Sequence, residues 1–291
     1  MSAHIINGKE IAKEIYAEMS DKIKTLKEQG IVPHLSVVLV GEDPASKVYV
    51  GMKQKKADQI GLSSKTIHLP ENTVEENLLG IIDELNNDDS VHGILVQLPL
   101  PKHISEPNVI KAICPDKDVD GFHPVNRGKL VSGEETFLPC TPSGIQQLLI
   151  RSGYSPERKH VVVIGRSGIV GMPFAIMMMQ KKKEANATVT ICHTGTRDIA
   201  SFSRQADIVI VAAGRPNTLT ADMVKAGAVV IDVGTNRVDD PAAKRGYRLV
   251  GDADFDGLLE KTAAITPVPG GVGPMTIAML MVNTVKAATP I

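Results

Sequence analysis

The segment SKVYVGMKQKK, residues 46–56, places a phenol and an amine four positions apart, at Tyr49 and Lys53. On an α-helix, residues at this spacing project from the same face, so both side chains would meet the same ligand or the same solvent. The pair is therefore either part of a catalytic or binding site or an ordinary solvated surface. The spacing leaves both interpretations open, while the following Lys55 and Lys56 are typical of a solvated surface.

A glycine-rich segment, VVVIGRSGIVGMP at residues 161–173, has the form of a buried strand, a turn and the start of a helix. Gly165, Gly168 and Gly171 are spaced G-x-x-G-x-x-G, which differs from the usual dinucleotide fingerprint G-x-G-x-x-G. Glycines still allow the backbone to approach a pyrophosphate, and a helix N-terminus supplies free N–H donors. The segment predicts a dinucleotide site, with a turn that binds no ligand as the alternative.

The end of the next strand indicates which dinucleotide would bind. NAD sites usually carry an acidic residue there, which bonds the ribose hydroxyls. The strand instead runs into CHTGTRD, with a hydroxyl at Thr194 and guanidinium groups at Arg197 and, in the glycine loop, Arg166. Hydroxyl and guanidinium groups would hold a 2′-phosphate that a carboxylate would repel, so the sequence favours NADP over NAD.

These groups must be positioned by a sheet, and the sequence predicts an α/β fold. Six near-continuous apolar runs rich in valine and isoleucine are typical of parallel strands buried on both faces. They lie at residues 34–40, 91–97, 160–165, 187–192, 207–213 and 228–233. Helical periodicity lies between them, and alternation of this kind predicts parallel sheets. A proline- and glycine-containing stretch at residues 134–144 indicates a domain boundary near residue 140.

Composition excludes several classes of protein. The 291 residues are 43% hydrophobic and 22% charged with a formal net charge of −1, so we expect neither nucleic acid nor a membrane as partner. Three scattered cysteines and the absence of paired histidine motifs argue against a disulfide framework or a structural zinc site. We expect inert buried thiols, no metal, and, without a signal-peptide core, a cytoplasmic protein.

Two motif matches fail on their context. The segment DKDVDG begins like a calcium loop, but the twelfth position from Asp116 is Arg127, where such a loop needs a glutamate. Tyr-x-x-x-Lys also occurs in short-chain dehydrogenases, where it follows the glycine motif. Tyr49 precedes the glycine loop by more than a hundred residues, so that family does not fit.

Several strings occur together in one order: VYVGMKQKKADQIG, GILVQLPLP, PDKDVDGF, PCTPSG, VVIGRSGIVGMP and TPVPGGVGPMT. In this combination the chain resembles the methylenetetrahydrofolate dehydrogenase/cyclohydrolase family over essentially its whole length. The resemblance implies NADP-dependent oxidation of 5,10-methylenetetrahydrofolate to 5,10-methenyltetrahydrofolate, and hydrolysis of that product to 10-formyltetrahydrofolate. It also implies a role in one-carbon metabolism and purine biosynthesis.

The resemblance implies two domains with a folate cleft between them. We expect a catalytic domain at residues 1–139, completed by a C-terminal helix within 268–291, and a Rossmann NADP-binding domain at residues 140–267. Members of the family are typically homodimers joined through the Rossmann domain.

The resemblance also implies roles for individual residues. Tyr49 would stack on the folate, Lys53 would move protons in the hydrolysis, Gln97 would orient Lys53, and Asp120 would bind the pterin. Further expected substrate-binding residues are Val96, Leu98, Pro269, Gly270 and Gly271. The expected cofactor-binding residues are Gly165, Arg166, Ser167, Gly171, Thr194, Arg197 and Thr235.

Three other functions compete with this one. The chain could be a dehydrogenase with weak or absent cyclohydrolase activity, although Lys53 and Gln97 argue against that. It could be a nucleotide-binding regulator that binds NADP without folate turnover. It could also be another two-domain dehydrogenase, acting on shikimate-like or amino acid substrates.

Overall fold

The computed structural model describes residues 2–243 and 246–290. By its internal contacts the chain forms two compact units, which we name by their sheets. The six-stranded unit comprises residues 1–13 and 141–276, and the three-stranded unit comprises residues 14–140 and 277–291. Residues 1 and 291, which limit the expected domains, lie outside the described residues.

The six-stranded unit contains one fully parallel sheet. Across the sheet the strands are β1 (His4–Ile5), β11 (Ala264–Ile265), β8 (Val229–Asp232), β7 (Ile208–Val211), β5 (His160–Ile164) and β6 (Thr188–Cys192). Helices α6 (Cys140–Arg151), α7 (Gly171–Met179), α8 (Ile199–Ser203) and α9 (Phe255–Leu258) connect them, and β9 (Asn236–Asp239) and β10 (Tyr247–Val250) form an antiparallel pair.

The three-stranded unit contains a second parallel sheet, in the order β3 (Ser63–Leu69), β2 (His34–Val40) and β4 (Gly93–Val96). Its helices are α2 (Pro44–Ile60), α3 (Glu75–Asn87), α4 (Glu106–Ala112) and α5 (Pro124–Ser132). Two longer helices, α1 (Gly8–Glu28) and α10 (Val272–Ala287), contribute residues to both units. Within the described part of the chain, every helix is too short or too polar to cross a bilayer.

The predicted α/β class with parallel sheets is confirmed, and each of the six predicted apolar runs contains a strand. Both sheets have their own apolar core. Val162, Val209 and Val230 are fully buried in the six-stranded unit, and Leu78, Ile82 and Ile94 are fully buried in the three-stranded unit.

Residues 1–13 belong to the six-stranded unit, whereas the sequence analysis grouped them with residues 14–139. The reason is a backbone pairing: β1 hydrogen-bonds in parallel to β11, with His4 opposite Ala264 and Ile5 opposite Ile265. A two-residue strand carries no readable periodicity, so its partner could not be predicted from the sequence.

The side chain of Asn283, on α10, connects that helix to the loop that carries Asp120. The buried Asn283 amide donates to the carbonyl oxygens of Val119 at 2.8 Å and Leu138 at 3.0 Å. Both carbonyl groups lie in segments without regular secondary structure, so this amide provides hydrogen bonds that a helix or sheet would otherwise supply.

We therefore expect Asn283→Ala to lower the free energy of unfolding by about 1–3 kcal/mol, because two carbonyl groups lose a buried donor. Chemical denaturation measures this change. Asn87→Ala is the matched control, since the Asn87 amide is exposed and bonds Asp83 within its own helix. The control should shift stability by less than ~0.5 kcal/mol, and equal losses in the two variants would contradict the role of Asn283.

Candidate functional site

Helix α2 buries Lys53 and leaves Tyr49 partly exposed. The helix begins at Pro44 after Asp43, whose carboxylate accepts the N–H of Ser46 at 2.7 Å. It ends at Ile60 and is followed by Gly61 in a left-handed conformation. Lys53 is 8% exposed and Tyr49 is 36% exposed. A lysine this far from solvent is unusual, so the alternative of a solvated surface pair does not hold for Lys53.

Gln97 holds the Lys53 amine. Gln97 follows β4, and its backbone N–H donates to the Val38 carbonyl oxygen at 2.8 Å. This bond continues the pairing of β4 with β2 by one residue. Its side-chain oxygen accepts a hydrogen bond from Lys53 Nζ at 2.7 Å, and its amide nitrogen donates to the Leu98 carbonyl oxygen at 2.6 Å. Both ends of the Gln97 side-chain amide are therefore hydrogen-bonded, one of them to the Lys53 amine.

The two aspartates of the KDVDGF segment have different environments. Asp118 accepts the N–H groups of Phe122 and His123, at 3.2 and 2.7 Å, and the amide of Asn126 at 2.8 Å. Asp118 therefore stabilises the turn. Asp120 is half-buried and interacts with the Cys140 thiol, so its carboxylate has capacity left for a ligand.

Burial shifts the protonation of this group of side chains. Burial lowers the pKa of the Lys53 ammonium, and the negative charge of Asp120 opposes the shift. Burial raises the pKa of Asp120, and the negative charge of Asp118 raises it further. The positive charge of Lys53 and the Cys140 thiol oppose this shift. Burial also raises the pKa of Cys140 well above its usual value. Burial therefore favours the neutral amine of Lys53 and the neutral thiol of Cys140.

This arrangement suits proton transfer beside a ligand that has a cationic or N–H-rich part. A neutral, oriented amine can accept a proton from water, and a half-buried carboxylate accepts hydrogen bonds from amino and ring N–H groups. Val96 lies buried at the end of β4, and the half-buried Leu98 is joined to Pro99 by a cis peptide bond. The structure therefore places Lys53, Gln97, Asp120, Val96 and Leu98 in one unit with Tyr49.

The glycine loop follows β5 in the six-stranded unit. Gly165 has φ 131°, and a Cβ there would overlap the Ala212 carbonyl oxygen. A Cβ on Gly171 would overlap the carbonyl oxygen of Gly165. The Ser167 hydroxyl accepts the Val170 N–H at 3.2 Å at the start of α7. The glycines therefore form a close backbone turn at a helix N-terminus, which fits the pyrophosphate of a dinucleotide.

The other expected cofactor residues lie at the same edge of this sheet. Arg166 follows β5, Thr194 and Arg197 follow β6, and Thr235 follows β8, and all four side chains are exposed. Because the strands are parallel, their carboxyl ends meet at one edge, where ligands bind in open α/β sheets. The structure thus brings the predicted cofactor residues together.

Pro269, Gly270 and Gly271 follow β11 and also belong to the six-stranded unit. The Gly271 N–H donates to Pro267 at 2.8 Å, and a cis peptide bond precedes Pro269. A Cβ on Gly8 would overlap the Gly271 carbonyl oxygen, so the start of α1 packs directly against this loop. Its packed glycines fit the expected close approach of backbone to a ligand.

Two buried carboxylates, Asp232 and Asp252, were missed by the sequence analysis, and both accept backbone N–H groups at the ends of strands. No signal in the sequence distinguished them from surface turns. The expected burial of Cys140 is confirmed, and its thiol donates to the Val119 carbonyl oxygen at 3.3 Å. Among the described residues, no group of three His, Cys, Asp or Glu side chains could hold a metal ion.

Two family models together match most of the chain. The model for the catalytic domain of tetrahydrofolate dehydrogenase/cyclohydrolase matches residues 6–120, and the model for its NAD(P)-binding domain matches residues 139–290. Bifunctional protein FolD of Syntrophus aciditrophicus (strain SB) is 58% identical over 288 residues, which cover 99% of this chain and 98% of that protein.

Solved structures agree with these matches. The bifunctional methylenetetrahydrofolate dehydrogenase/cyclohydrolase FolD of Campylobacter jejuni has 49% identity and a TM-score of 0.93, covering 99% of both chains. The Trypanosoma brucei methylenetetrahydrofolate dehydrogenase-cyclohydrolase, solved with NADP cofactor and an inhibitor, has 40% identity and a TM-score of 0.93, covering 99% of this chain and 98% of that one.

The close packing of the glycine loop predicts that alanine substitution changes stability in opposite directions at Gly171 and at an open position. Gly171→Ala should lower the free energy of unfolding by about 1–3 kcal/mol, because the added methyl overlaps backbone. It should also weaken dinucleotide binding, measured by titration. Gly80→Ala is the control: Gly80 is exposed within α3 with nothing near its Cβ, so alanine should stabilise by about 1 kcal/mol. Stabilisation of both variants would contradict the close packing of the loop.

Proposed function

The chain belongs to the tetrahydrofolate dehydrogenase/cyclohydrolase family, and we propose that it performs both reactions of that name. It oxidises 5,10-methylenetetrahydrofolate to 5,10-methenyltetrahydrofolate with NADP and then hydrolyses the product to 10-formyltetrahydrofolate. The observation that carries the proposal is the buried Lys53 amine, held by Gln97 at 2.7 Å in the same unit as Asp120.

The oxidation needs alignment of the reactants more than acid–base chemistry. A hydride leaves the methylene carbon, and the lone pair of the adjacent folate nitrogen stabilises the cation that develops. Bound NADP supplies the hydride acceptor. The role of this chain in the step is to bind and orient both molecules, so loss of the Lys53 amine leaves the chemistry of hydride transfer possible.

The hydrolysis needs a base. Water adds to the methenyl carbon of the cation and loses a proton, which the neutral Lys53 amine accepts. A proton then reaches the departing ring nitrogen, its bond to the carbon breaks, and the formyl group remains on the other nitrogen. The cationic substrate lowers the pKa of Lys53 further, so the reactant itself favours the basic form of the amine.

The remaining residues would bind the two ligands. Asp120 accepts hydrogen bonds from the pterin, and Tyr49 stacks on the aromatic part of the folate. Val96 and Leu98 provide apolar and backbone contacts beside them. Pro269, Gly270 and Gly271 let the backbone approach the ligands closely.

The dinucleotide would lie along the carboxyl edge of the six-stranded sheet. Gly165, Ser167 and Gly171 hold the pyrophosphate at the start of α7. Thr194, Arg166 and Arg197 hold the 2′-phosphate, and the exposed Thr235, beyond β8, contacts the nicotinamide half. In functional terms, residues 1–139 with 268–291 form the folate domain and residues 140–267 form the cofactor domain.

We also propose a homodimer, a cytoplasmic location and a role in purine biosynthesis. Strand β6 is the last in the sheet order and carries the exposed Ile191, so it offers an edge that a second copy can cover. All three cysteines are free, which suits a reducing compartment. The product is an activated formyl donor, which formyl transfer in purine biosynthesis consumes.

The proposed function is tested by mixing the protein with 5,10-methylenetetrahydrofolate and either NADP or NAD. Reduced cofactor, methenyl product and formyl product are followed together. NADPH formation that ends in 10-formyltetrahydrofolate, faster than the uncatalysed hydrolysis, supports both activities. Accumulation of the methenyl compound would favour a dehydrogenase without cyclohydrolase, and no reduction with either cofactor would favour a regulator.

The role of Lys53 predicts a separation of the two activities. Lys53→Met should lower the hydrolysis rate by about 100-fold or more, because no base receives the proton, while some hydride transfer remains. Methenyl and formyl products are measured separately. Lys55→Met is the control, since Lys55 is exposed on the same helix, and it should leave both rates within twofold. Hydrolysis that survives intact in Lys53→Met would refute this role.

The cofactor preference depends on the guanidinium groups at the sheet edge. Arg166→Gln should raise the KM for NADP by about 10- to 100-fold and change the KM for NAD little, because a charge-assisted hydrogen bond to the 2′-phosphate is lost. Arg158→Gln removes the same charge before β5, at the opposite end of that strand, and should change neither KM. Equal effects of Arg166→Gln on both cofactors would contradict 2′-phosphate binding.

A further inference from the structure

Two buried carboxylates at the edge of the six-stranded sheet have no role in the proposed chemistry. Asp232 ends β8 and is 3% exposed, and Asp252 follows β10 and is fully buried. In the described part of the chain neither forms an ion pair with a cation, and both bind backbone N–H groups or a neutral amide. Burying two carboxylates side by side without a cation is costly, so the arrangement calls for a physical reason.

Asp252 fixes the loop that follows β7. One carboxylate oxygen accepts the N–H groups of Ala213 at 2.6 Å and Gly214 at 2.7 Å. The other accepts the Asn236 amide at 2.8 Å. The preceding residue, Ala212, carries the carbonyl oxygen against which Gly165 packs. By fixing Ala213, Asp252 therefore also fixes the backbone that contacts the glycine loop.

Asp232 fixes the loop that follows β8. One of its oxygens accepts the N–H groups of Gly234 and Asp252, both at 2.9 Å, and the other accepts the Ala253 N–H at 2.8 Å. Glycines make room for both acids, because a Cβ on Gly234 would overlap the Asp252 carboxylate and a Cβ on Gly251 would overlap that of Asp232. The two acids and two glycines therefore act as one packed group.

These two loops occupy a defined part of the proposed dinucleotide site. In such sheets the pyrophosphate lies at the first strand–helix turn, here after β5, and the adenosine side lies at the end of the next strand, here β6. By elimination, the loops after β7 and β8 lie along the nicotinamide half. These are the loops that Asp252 and Asp232 hold.

We propose that Asp232 and Asp252 are positioning residues for the nicotinamide half of the dinucleotide, acting through the loops at 212–214 and 233–235 without contacting the cofactor. This inference rests on the proposed NADP site. A carboxylate suits the task because its two oxygens accept several N–H groups from different directions, which an amide or hydroxyl cannot match. The arrangement has a cost at Asp232: burial and the negative charge of the neighbouring Asp252 raise the pKa of its carboxyl group to about 6.

The experiment measures the two activities of the full-length protein separately, because only the dehydrogenase reaction needs the dinucleotide. Hydrolysis of 5,10-methenyltetrahydrofolate needs no dinucleotide, so it reports whether a variant is folded and binds folate. Asp252→Asn places an amide NH₂ group among donors, and it should raise the KM and Kd for NADP by ~10-fold or more while hydrolysis stays within twofold. Ser203→Ala is the control, because it removes a buried hydrogen bond to Met223 in the same unit, away from these loops.

Asp232→Asn provides a second test if Asp252→Asn does not fold. It keeps one acceptor oxygen, loses the bond to Ala253, and removes the repulsion between the two acids. We expect a several-fold higher KM for NADP, while hydrolysis of 5,10-methenyltetrahydrofolate stays within twofold. A loss confined to cofactor binding is a result that a purely structural residue would not produce.

Three outcomes decide the matter. Unchanged NADP binding in a folded Asp252→Asn or Asp232→Asn variant would overturn the positioning role. A parallel fall of hydrolysis and dehydrogenation, together with stability, would also overturn it, because the acids would then serve only the fold. Failure of the wild-type protein to bind NADP would instead overturn the proposed function on which the inference rests.

Discussion

The parallel direction of all strands in the six-stranded sheet is the constraint on which the cofactor site depends. Parallel strands need crossover connections, so each strand ends at the same edge and is followed there by a loop. The glycine turn after β5, the Thr194 segment after β6 and the loops after β7, β8 and β11 are consequently neighbours. Glycines at Gly165 and Gly171 then allow these loops to pack at backbone contact, which side chains would prevent.

The three-stranded unit provides reactivity through burial of charge. Lys53 is on a helix whose exposed side carries further lysines, and its amine alone among them is enclosed beside Gln97 and Asp120. Removing an ammonium from water disfavours its charge, so burial lowers the pKa of Lys53 and favours its neutral amine form. The neighbouring Asp118 has a different environment, because backbone and amide donors occupy its carboxylate oxygens.

The limits of sequence interpretation follow from how each element is stabilised. Strands buried on both faces, such as β5 and β7, require continuous apolar runs and could be predicted. Strand β3 pairs with β2 over seven residues, yet its sequence SSKTIHL is largely polar because it is an edge strand. Strands β1 and β11 are two residues long and exist through their partners, so local patterns could not reveal them. Asp232 and Asp252 were missed for a similar reason, since each accepts hydrogen bonds from backbone N–H groups about 20 or more residues away in the chain.

By itself the sequence determined the α/β class, the glycine turn after β5 and the family, because these depend on residue types at short, fixed spacings. Local chemistry is sufficient there: glycines must occupy a tight turn, and apolar runs must be buried. Tertiary structure alone decided which lysine loses its water, which aspartate keeps free acceptors, and where residues 1–13 belong. Those outcomes depend on contacts between residues distant in the chain, and such contacts set the dielectric environment and the hydrogen-bond partners that turn a residue type into a functional group.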